Sequence, residues 1–228
     1  MKRVNELKDS LKSYQEQLGG ASSFGGEADG HKAMARAAKG LFTNLEFKGE
    51  PFAPLGFVNV MRQVYPQFNE TDDHGHHKQQ DAEECYSALL TSFKAALKLS
   101  PEEQALTGHS DQIEKLFGIE LVNTVKNKES PEEPEQVTKE NVLRLSCHID
   151  NNNNPINHMT EGLKISLEGD IEKHSPFLDR NCIYFKKAQV NKLPEYLTVH
   201  FVRFYWKKES ASTGTKAGKA KILRVRNF

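Results

Sequence analysis

Apolar residues recur every three or four positions through the first half of the chain, which is the spacing of one helix face. This stripe predicts a first helix over residues 4–18, ended by Gly19-Gly20. Residues 19–30 are rich in glycine and serine and predict a loop. Two further stripes predict helices, one from Met34 to Leu45 and one from Leu55 to Val64.

A fourth helix is predicted from about residue 81 to residue 97. Its predicted apolar face consists of Ala82, Cys85, Leu89, Phe93 and Leu97. Asp81 is placed to cap the helix start, and Glu84 follows three residues later, as in a capping box. Similar start signals predict a helix after Ser100 and a short one between Ser110 and Gly118. Residues 1–118 are therefore predicted to form a mainly helical region.

After Gly118 the pattern changes to alternation of apolar and polar residues, which is typical of strands. The predicted strands cover residues 119–125, 143–149, 182–185, 196–206 and 222–225. Residues 126–140 carry prolines and acids and predict an exposed loop, and residues 151–155 predict a turn. Residues 163–167 also alternate and predict a strand, although Ile171 leaves a helix open there. A helical region followed by a sheet region is an α+β arrangement.

Composition excludes some classes of function. The 228 residues carry 31 basic and 31 acidic side chains, so no overall field favours nucleic acid or a membrane surface. A basic cluster near residues 216–226 contains no interleaved aromatic residue and predicts a solvated segment. We find no signal peptide and no apolar run long enough to span a membrane. Three cysteines, an odd number, suit a reducing compartment and predict a cytoplasmic or nuclear protein.

Two local clusters contain residue types that can carry chemistry, but neither pattern predicts a site. The loop at residues 71–78 contains Asp72, Asp73, His74, His76 and His77. Its spacing fits no standard structural zinc site, so a solvated loop is predicted and no metal. Cys85 lies on the apolar face of the fourth helix beside Glu83 and Glu84. Burial and neighbouring carboxylates both raise a thiol pKa, so a structural cysteine is predicted rather than a nucleophile.

Two motifs, in order along the chain, resemble those of a known enzyme family. The segment Gln79-Gln80-Asp81-Ala82-Glu83-Glu84, at a predicted helix start, resembles the glutamine box of the ubiquitin-specific proteases. Residues 193–204 are similar to the family's Leu-Pro-x-x-Leu motif, followed by a strand and an Arg-Phe pair. Residues 65–68, 117–120 and 175–178 look most like the proteasome-associated branch of that family.

The resemblance implies a partial papain-like α+β fold. Residues 1–118 would be its helical thumb, and residues 119–228 its mainly antiparallel fingers and part of its palm, together one incomplete catalytic domain. It implies that Gln79 and Asp81 bind the extended tail of ubiquitin, through its arginines or backbone amides, with Gln80 and Glu83 beside them. By the same resemblance, Arg203 and Phe204 line this channel, the fingers hold the body of ubiquitin, and no cofactor is needed.

The implied activity is that of a thiol-dependent ubiquitinyl hydrolase, which needs a thiolate and an imidazole. The family places these in a Gly-Asn-Thr-Cys-Tyr segment and a Gly-His-Tyr segment, and neither occurs in the 228 residues. We therefore expect no catalytic residue in this chain and no activity of the chain by itself. The implied partners are ubiquitin, ubiquitinated proteins and the proteasome regulatory particle. The alternative is a non-catalytic module that binds ubiquitin or regulates the proteasome.

Overall fold

The computed structural model describes residues 4–15, 27–47, 51–151, 154–207 and 218–221. Contacts between residues divide the chain into two compact units, residues 1–116 and residues 117–228. The first unit is helical and the second is mainly β, which confirms the α+β class. Among the helices described, none offers the length of apolar surface that a membrane crossing requires.

The first unit is built mainly from helices. They are α1 (Asn5–Ser13), α2 (Glu27–Phe47), α3 (Leu55–Val64), a 3-10 turn (Pro66–Asn69), α4 (Ala82–Ala96), α5 (Pro101–Thr107) and α6 (Gln112–Phe117). The predicted bounds of α3 are confirmed. Ser100 caps α5 through a capping box with Glu103, as its sequence predicts. Each of these local signals lies within one turn of the helix that it starts or ends.

Two predictions at the first helices need correction. Helix α1 ends at Ser13, short of the predicted residue 18, which lies outside the described residues. The predicted loop at residues 19–30 is wrong for residues 27–30, which belong to α2; residues 19–26 lie outside the described residues. Gly30 lies in this helix close to α3, since a Cβ there would lie 3.3 Å from Cγ1 of Val64. Glycine thus permits a close approach of α2 and α3.

The buried face of α4 is displaced from the predicted one. Leu90, Phe93 and the following Leu97 are buried, whereas Ala82 at the helix start is exposed. Ser92 is also fully buried, and its hydroxyl lies 2.7 Å from Tyr65 OH and 3.1 Å from Nδ1 of His31. Because this serine is satisfied by hydrogen bonds, it can occupy a core position that a count of apolar residues passes over.

The second unit contains a four-stranded antiparallel sheet with the strand order β2-β1-β7-β6. The strands and the helix of this unit are β1 (Ile119–Asn127), β2 (Gln136–Val142), β3 (Leu145–His148), β4 (Asp150–Asn151), β5 (Asn154–Pro155), α7 (Met159–Leu167), β6 (Glu168–Ser175), β7 (Arg180–Lys192), β8 (Val199–Val202), β9 (Phe204–Lys207) and β10 (Gly218–Lys221). Strands β3 and β8 pair in parallel, and β9 pairs with β10 antiparallel. The predicted strand at residues 222–225 lies outside the described residues.

Residues 136–140 and 163–167 form elements of a different type from those predicted. The predicted loop at residues 126–140 is wrong in part, because β2 runs from Gln136 to Val142 and pairs with β1. Its residues are mostly exposed and polar, so the ladder of backbone hydrogen bonds stabilises it rather than burial. The predicted strand at residues 163–167 is helix α7 instead. Leu163 and Leu167 of this helix pack against the buried core of the sheet.

The connection between β1 and β2 is held to the sheet by one buried carboxylate. Glu133 accepts hydrogen bonds from Ser175 Oγ, Tyr184 OH and Asn127 Nδ2, each at 2.7 Å. These donors, the serine first, hold the pKa of Glu133 below its ordinary value. Glu133 is the one acid of the predicted exposed loop that is buried, because three donors there replace its hydration.

Candidate functional site

The start of α4 is organised by Asp81, the residue that the sequence marks as its cap. Asp81 has extended backbone angles, and its side chain accepts a hydrogen bond of 2.9 Å from the backbone N–H of Glu83. The carboxylate of Glu83 accepts a bond of 2.7 Å from the Ser87 hydroxyl. Acidic side chains at a helix start also interact favourably with the helix dipole. The cap predicted at Asp81 is therefore confirmed, and its tail-binding role stays a prediction.

The two glutamines before Asp81 differ in their surroundings. The side-chain amide of Gln80 is half-buried and donates a hydrogen bond of 2.8 Å to the backbone oxygen of Gln67 in the 3-10 turn. Gln79 is exposed, and its side chain makes no hydrogen bond to any residue in the described ranges. Gln79 therefore offers a complete amide group to a ligand, whereas part of the Gln80 amide is already engaged.

Contacts from the preceding segment position this helix start. Tyr65, at the end of α3, donates a hydrogen bond of 2.6 Å to the backbone oxygen of Ala88 in α4. Phe68, in the 3-10 turn, is buried and packs edge-on against the Tyr65 ring. In the sequence, residues 65–68 are recognisable only as a segment that resembles the family. Their capacity to position α4 depends on hydrogen bonds that join residues more than ten positions apart.

Arg203 and Phe204 belong to the second unit. Arg203 is exposed and interrupts the predicted strand over residues 196–206, which the structure divides into β8 and β9. Phe204 is the first residue of β9, and its backbone pairs with Lys221 in β10. The predicted channel shared by these two residues and the glutamine box stays a prediction, because the box belongs to the first unit.

The cysteines lie in surroundings that do not favour a thiolate. The Cys85 thiol is half-buried, with Met61 Sδ at 3.6 Å from its Sγ. Burial raises the pKa of this thiol, and the Glu84 carboxylate adds to the rise, as predicted. Cys147 is fully buried, and burial raises its thiol pKa as well. Cys182 is buried in β7, so the described cysteines are structural.

The histidine-rich loop before the glutamine box forms a turn around Asp72. One carboxylate oxygen of Asp72 accepts hydrogen bonds of 2.9 Å from the backbone N–H groups of both His74 and His76. Within the part of the chain that the structure describes, no three histidine, cysteine or acidic side chains are grouped so that they could hold a metal ion. The hydrogen bonds of Asp72 account for its place in the loop, because they close a local turn.

Comparisons with known proteins agree with the two motifs. A family model described as "Ubiquitin carboxyl-terminal hydrolase" matches residues 1–224. Ubiquitin carboxyl-terminal hydrolase 7 of Arabidopsis thaliana is 40% identical over 222 residues, which are 97% of this chain and 42% of that protein. Ubiquitin carboxyl-terminal hydrolase 6 of the same plant is 39% identical over 98% of this chain and 42% of its own length.

A third relative comes from a fungus. Ubiquitin carboxyl-terminal hydrolase 6 of Schizosaccharomyces pombe is 38% identical over 180 residues, 78% of this chain and 34% of that protein. The chain thus spans less than half the length of these curated relatives. The helical unit, the mainly antiparallel second unit and the family match together agree with the papain-like fold that the motifs predict. This chain belongs to the ubiquitin carboxyl-terminal hydrolase family.

Proposed function

We propose that this chain is part of a deubiquitinating cysteine protease and holds the extended tail of ubiquitin at the start of α4. The exposed, uncommitted amide of Gln79 beside the capping carboxylate of Asp81 is the observation that carries the proposal. An extended peptide has alternating donors and acceptors, and a primary amide can pair with both. The Asp81 carboxylate adds a charge that suits arginine side chains.

The remaining predicted residues complete the proposal. Glu83 adds a second carboxylate beside Asp81, while Gln80 lies next to the site with its amide nitrogen on Gln67. Arg203 and Phe204 are included on the family resemblance alone, since they belong to the second unit. The partners are ubiquitin and ubiquitinated proteins, together with the proteasome regulatory particle, in the cytoplasm or nucleus. The family membership and the resemblance of residues 65–68, 117–120 and 175–178 to the proteasome-associated branch support this part.

The two glutamines form a matched pair for testing the site. We expect Gln79→Ala to weaken ubiquitin binding about fivefold and to leave the melting temperature unchanged, since it removes one exposed amide. We expect Gln80→Ala to lower the free energy of unfolding by about 1 kcal/mol, because it removes the hydrogen bond to Gln67. Calorimetric titration with ubiquitin and thermal unfolding of both variants measure these effects. Unchanged affinity in Gln79→Ala would contradict the proposed site.

The three cysteines lead to an expectation about activity. We expect the 228-residue polypeptide not to hydrolyse a fluorogenic ubiquitin amide, because its thiols are buried or have raised pKa values. The measurement is fluorescence release with the polypeptide and with Cys85→Ser. Release that disappears in Cys85→Ser would identify Cys85 as a nucleophile and overturn this expectation.

The cysteine environments are equally compatible with a second function for the chain, a non-catalytic module that binds ubiquitin or regulates the proteasome. Such a module needs the Gln79–Asp81 surface and no activated thiol. Both functions require ubiquitin binding, and they differ in turnover. A parent protein that binds ubiquitin and shows no thiol-dependent release of the fluorophore would have the second function.

A further inference from the structure

A cavity of about 560 Å³ lies in the first unit, at the end of α4 that is remote from the glutamine box. Its volume is within the usual range of small-molecule pockets. Helices α1, α2, α4, α5 and α6 all contribute to the lining, which includes Ser10, Lys32, Leu97, Lys98, Glu103 and Gln112. Helix α4 has 15 residues, so its two ends are about 22 Å apart. The cavity is therefore separate from the proposed tail-binding site.

Gln112 brings a buried and unpaired amide to this cavity. The residue is 9% exposed, and its side-chain amide makes no hydrogen bond to any described residue. Its Oε1 and Nε2 still keep accessible surface, because Asn123 Oδ1 is the one unpaired side-chain atom that is sealed from solvent in the described ranges. Since Gln112 lines the cavity, a molecule there can reach its amide without a rearrangement of the chain. Such a molecule must offer both a donor and an acceptor.

Lys32 is the unpaired cation of the lining. It is half-buried in α2, and it has no acidic partner at ion-pair distance in the part of the chain that the structure describes. The second cation, Lys98, differs in this respect, because its Nζ lies 3.8 Å from a carboxylate oxygen of Asp111. A half-buried ammonium group without a counter-charge is best satisfied by an anion.

Most of the remaining polar side chains of the lining are engaged within the unit. Ser10 Oγ and Ser13 Oγ donate to backbone oxygens one turn earlier in α1, at 2.7 Å and 2.8 Å. Glu103 Oε2 accepts a hydrogen bond of 3.0 Å from the backbone N–H of Ser100 in the capping box of α5. The groups left to a ligand are therefore the one ammonium and the buried amide, together with the exposed amide of Gln15.

These groups match a carboxylate that has an N–H beside it. The ammonium and the amide nitrogen are donors for the carboxylate, and the amide oxygen accepts from the N–H. A phosphate monoester carries nearly two negative charges and would meet a single unpaired cation. It would also meet the carboxylate of Glu103 in the same lining. A single negative charge is the better match to this cavity.

We propose that this cavity binds the C-terminal residue of a peptide chain. That residue carries a carboxylate for Lys32 Nζ and Gln112 Nε2, and a backbone N–H for Gln112 Oε1. The lining belongs wholly to the first unit and contains neither Gln79 nor Asp81. The proposal is therefore independent of the tail-binding role proposed for the start of α4.

The probe is N-acetyl-alanyl-alanine with a free carboxylate, and the comparison is its C-terminal amide, which lacks the charge. Titration of the 228-residue chain with the acid, followed by NMR, is expected to shift the side-chain amide signals of Gln112 in a saturable way. The amide form is expected to bind at least about tenfold more weakly, because it forms no charge-assisted hydrogen bond. Equal affinity of the two forms would overturn the proposal, as would the absence of a saturable shift up to the solubility limit of the acid.

Lys32→Met retains much of the side-chain length and removes the charge. It is expected to weaken binding of the acid about tenfold and to bring the acid and the amide form to similar affinity. The matched control is Lys115→Met, which removes an exposed charge from α6 outside the lining and is expected to leave the affinity unchanged. An equal loss in both variants would show a general effect of positive charge and overturn the proposal.

Two further variants locate the bound peptide. Gln112→Leu is expected to weaken binding of the acid about fivefold, since it removes the amide. Gln79→Ala is expected to leave this binding unchanged, so that failure here is distinguishable from failure of the tail-binding site. Loss of binding in Gln79→Ala would place the peptide at the glutamine box and overturn the proposal. If Gln112→Leu does not fold, unchanged affinity in Lys32→Met decides against it.

Discussion

Replacement of Gly162 by alanine is expected to lower the free energy of unfolding of the second unit by about 3 kcal/mol, the cost of overpacking a tight contact. Gly162 is buried in the middle of α7, where the helix crosses β3. A Cβ at this position would lie 2.2 Å from the His148 backbone oxygen and 2.7 Å from Cys147 Sγ. The backbone oxygen cannot move without displacing β3, which pairs with β8.

Helix propensity predicts the opposite sign, since alanine is favoured over glycine in a helix by about 1 kcal/mol. Gly40 provides the matched control, because it is an exposed glycine in α2 whose Cβ would meet nothing within 4 Å. We expect Gly40→Ala to raise stability by about 0.5–1 kcal/mol. Urea unfolding of both variants measures the two effects. Equal stabilisation by both would show that α7 and β3 are further apart than the structure has them.

Removal of the Asp81 carboxylate is expected to weaken binding of ubiquitin by about 1–3 kcal/mol, the scale of a lost charge-assisted hydrogen bond. Asp81→Ala also removes the helix cap on the Glu83 N–H, which costs about 1 kcal/mol of stability. Asp81→Asn separates the two roles, because asparagine caps helices as well as aspartate but carries no charge.

We therefore expect Asp81→Asn to retain the melting temperature and lose most of the affinity that Asp81→Ala loses. Calorimetric titration with ubiquitin and thermal unfolding of both variants provide the comparison. A lowered melting temperature in Asp81→Ala with unchanged affinity in both variants would leave Asp81 as a helix cap alone. The tail-binding role proposed for the start of α4 would then fail.

Much of the helical unit follows from residues close together in sequence. Asp81 and Ser100 each accept a hydrogen bond from a backbone group two or three residues away, so their roles as caps can be recognised before any fold is known. The rise in the Cys85 pKa follows from the burial of its helix face and from the neighbouring Glu84 carboxylate, both of which can be expected from the sequence. The family resemblance also rests on short motifs, which can be recognised in the sequence before the fold is known.

Long-range contacts determined whether a segment became a helix or a strand where the pattern of apolar and polar residues predicted the wrong type. Strand β2 is polar and exposed, and only its pairing with β1 makes it a strand. Residues 163–167 alternate like a strand and form part of α7, because Gly162 allows a helix to lie against Cys147 and His148. A short alternating run is compatible with either element, and its packing partner selects between them.

By itself, therefore, the sequence determined the class of fold, the starts of α4 and α5, the structural role of Cys85 and the position of the glutamine box. Only the tertiary structure showed that Gln79 is exposed while the Gln80 amide is engaged, since the partner of Gln80 is Gln67 in another segment. It also placed Glu133 in a buried network and left Asn123 Oδ1 without a donor among the described residues. Caps and periodicity arise within a turn or a strand, whereas hydrogen-bond partners of buried polar groups come from residues that only the folded chain brings together.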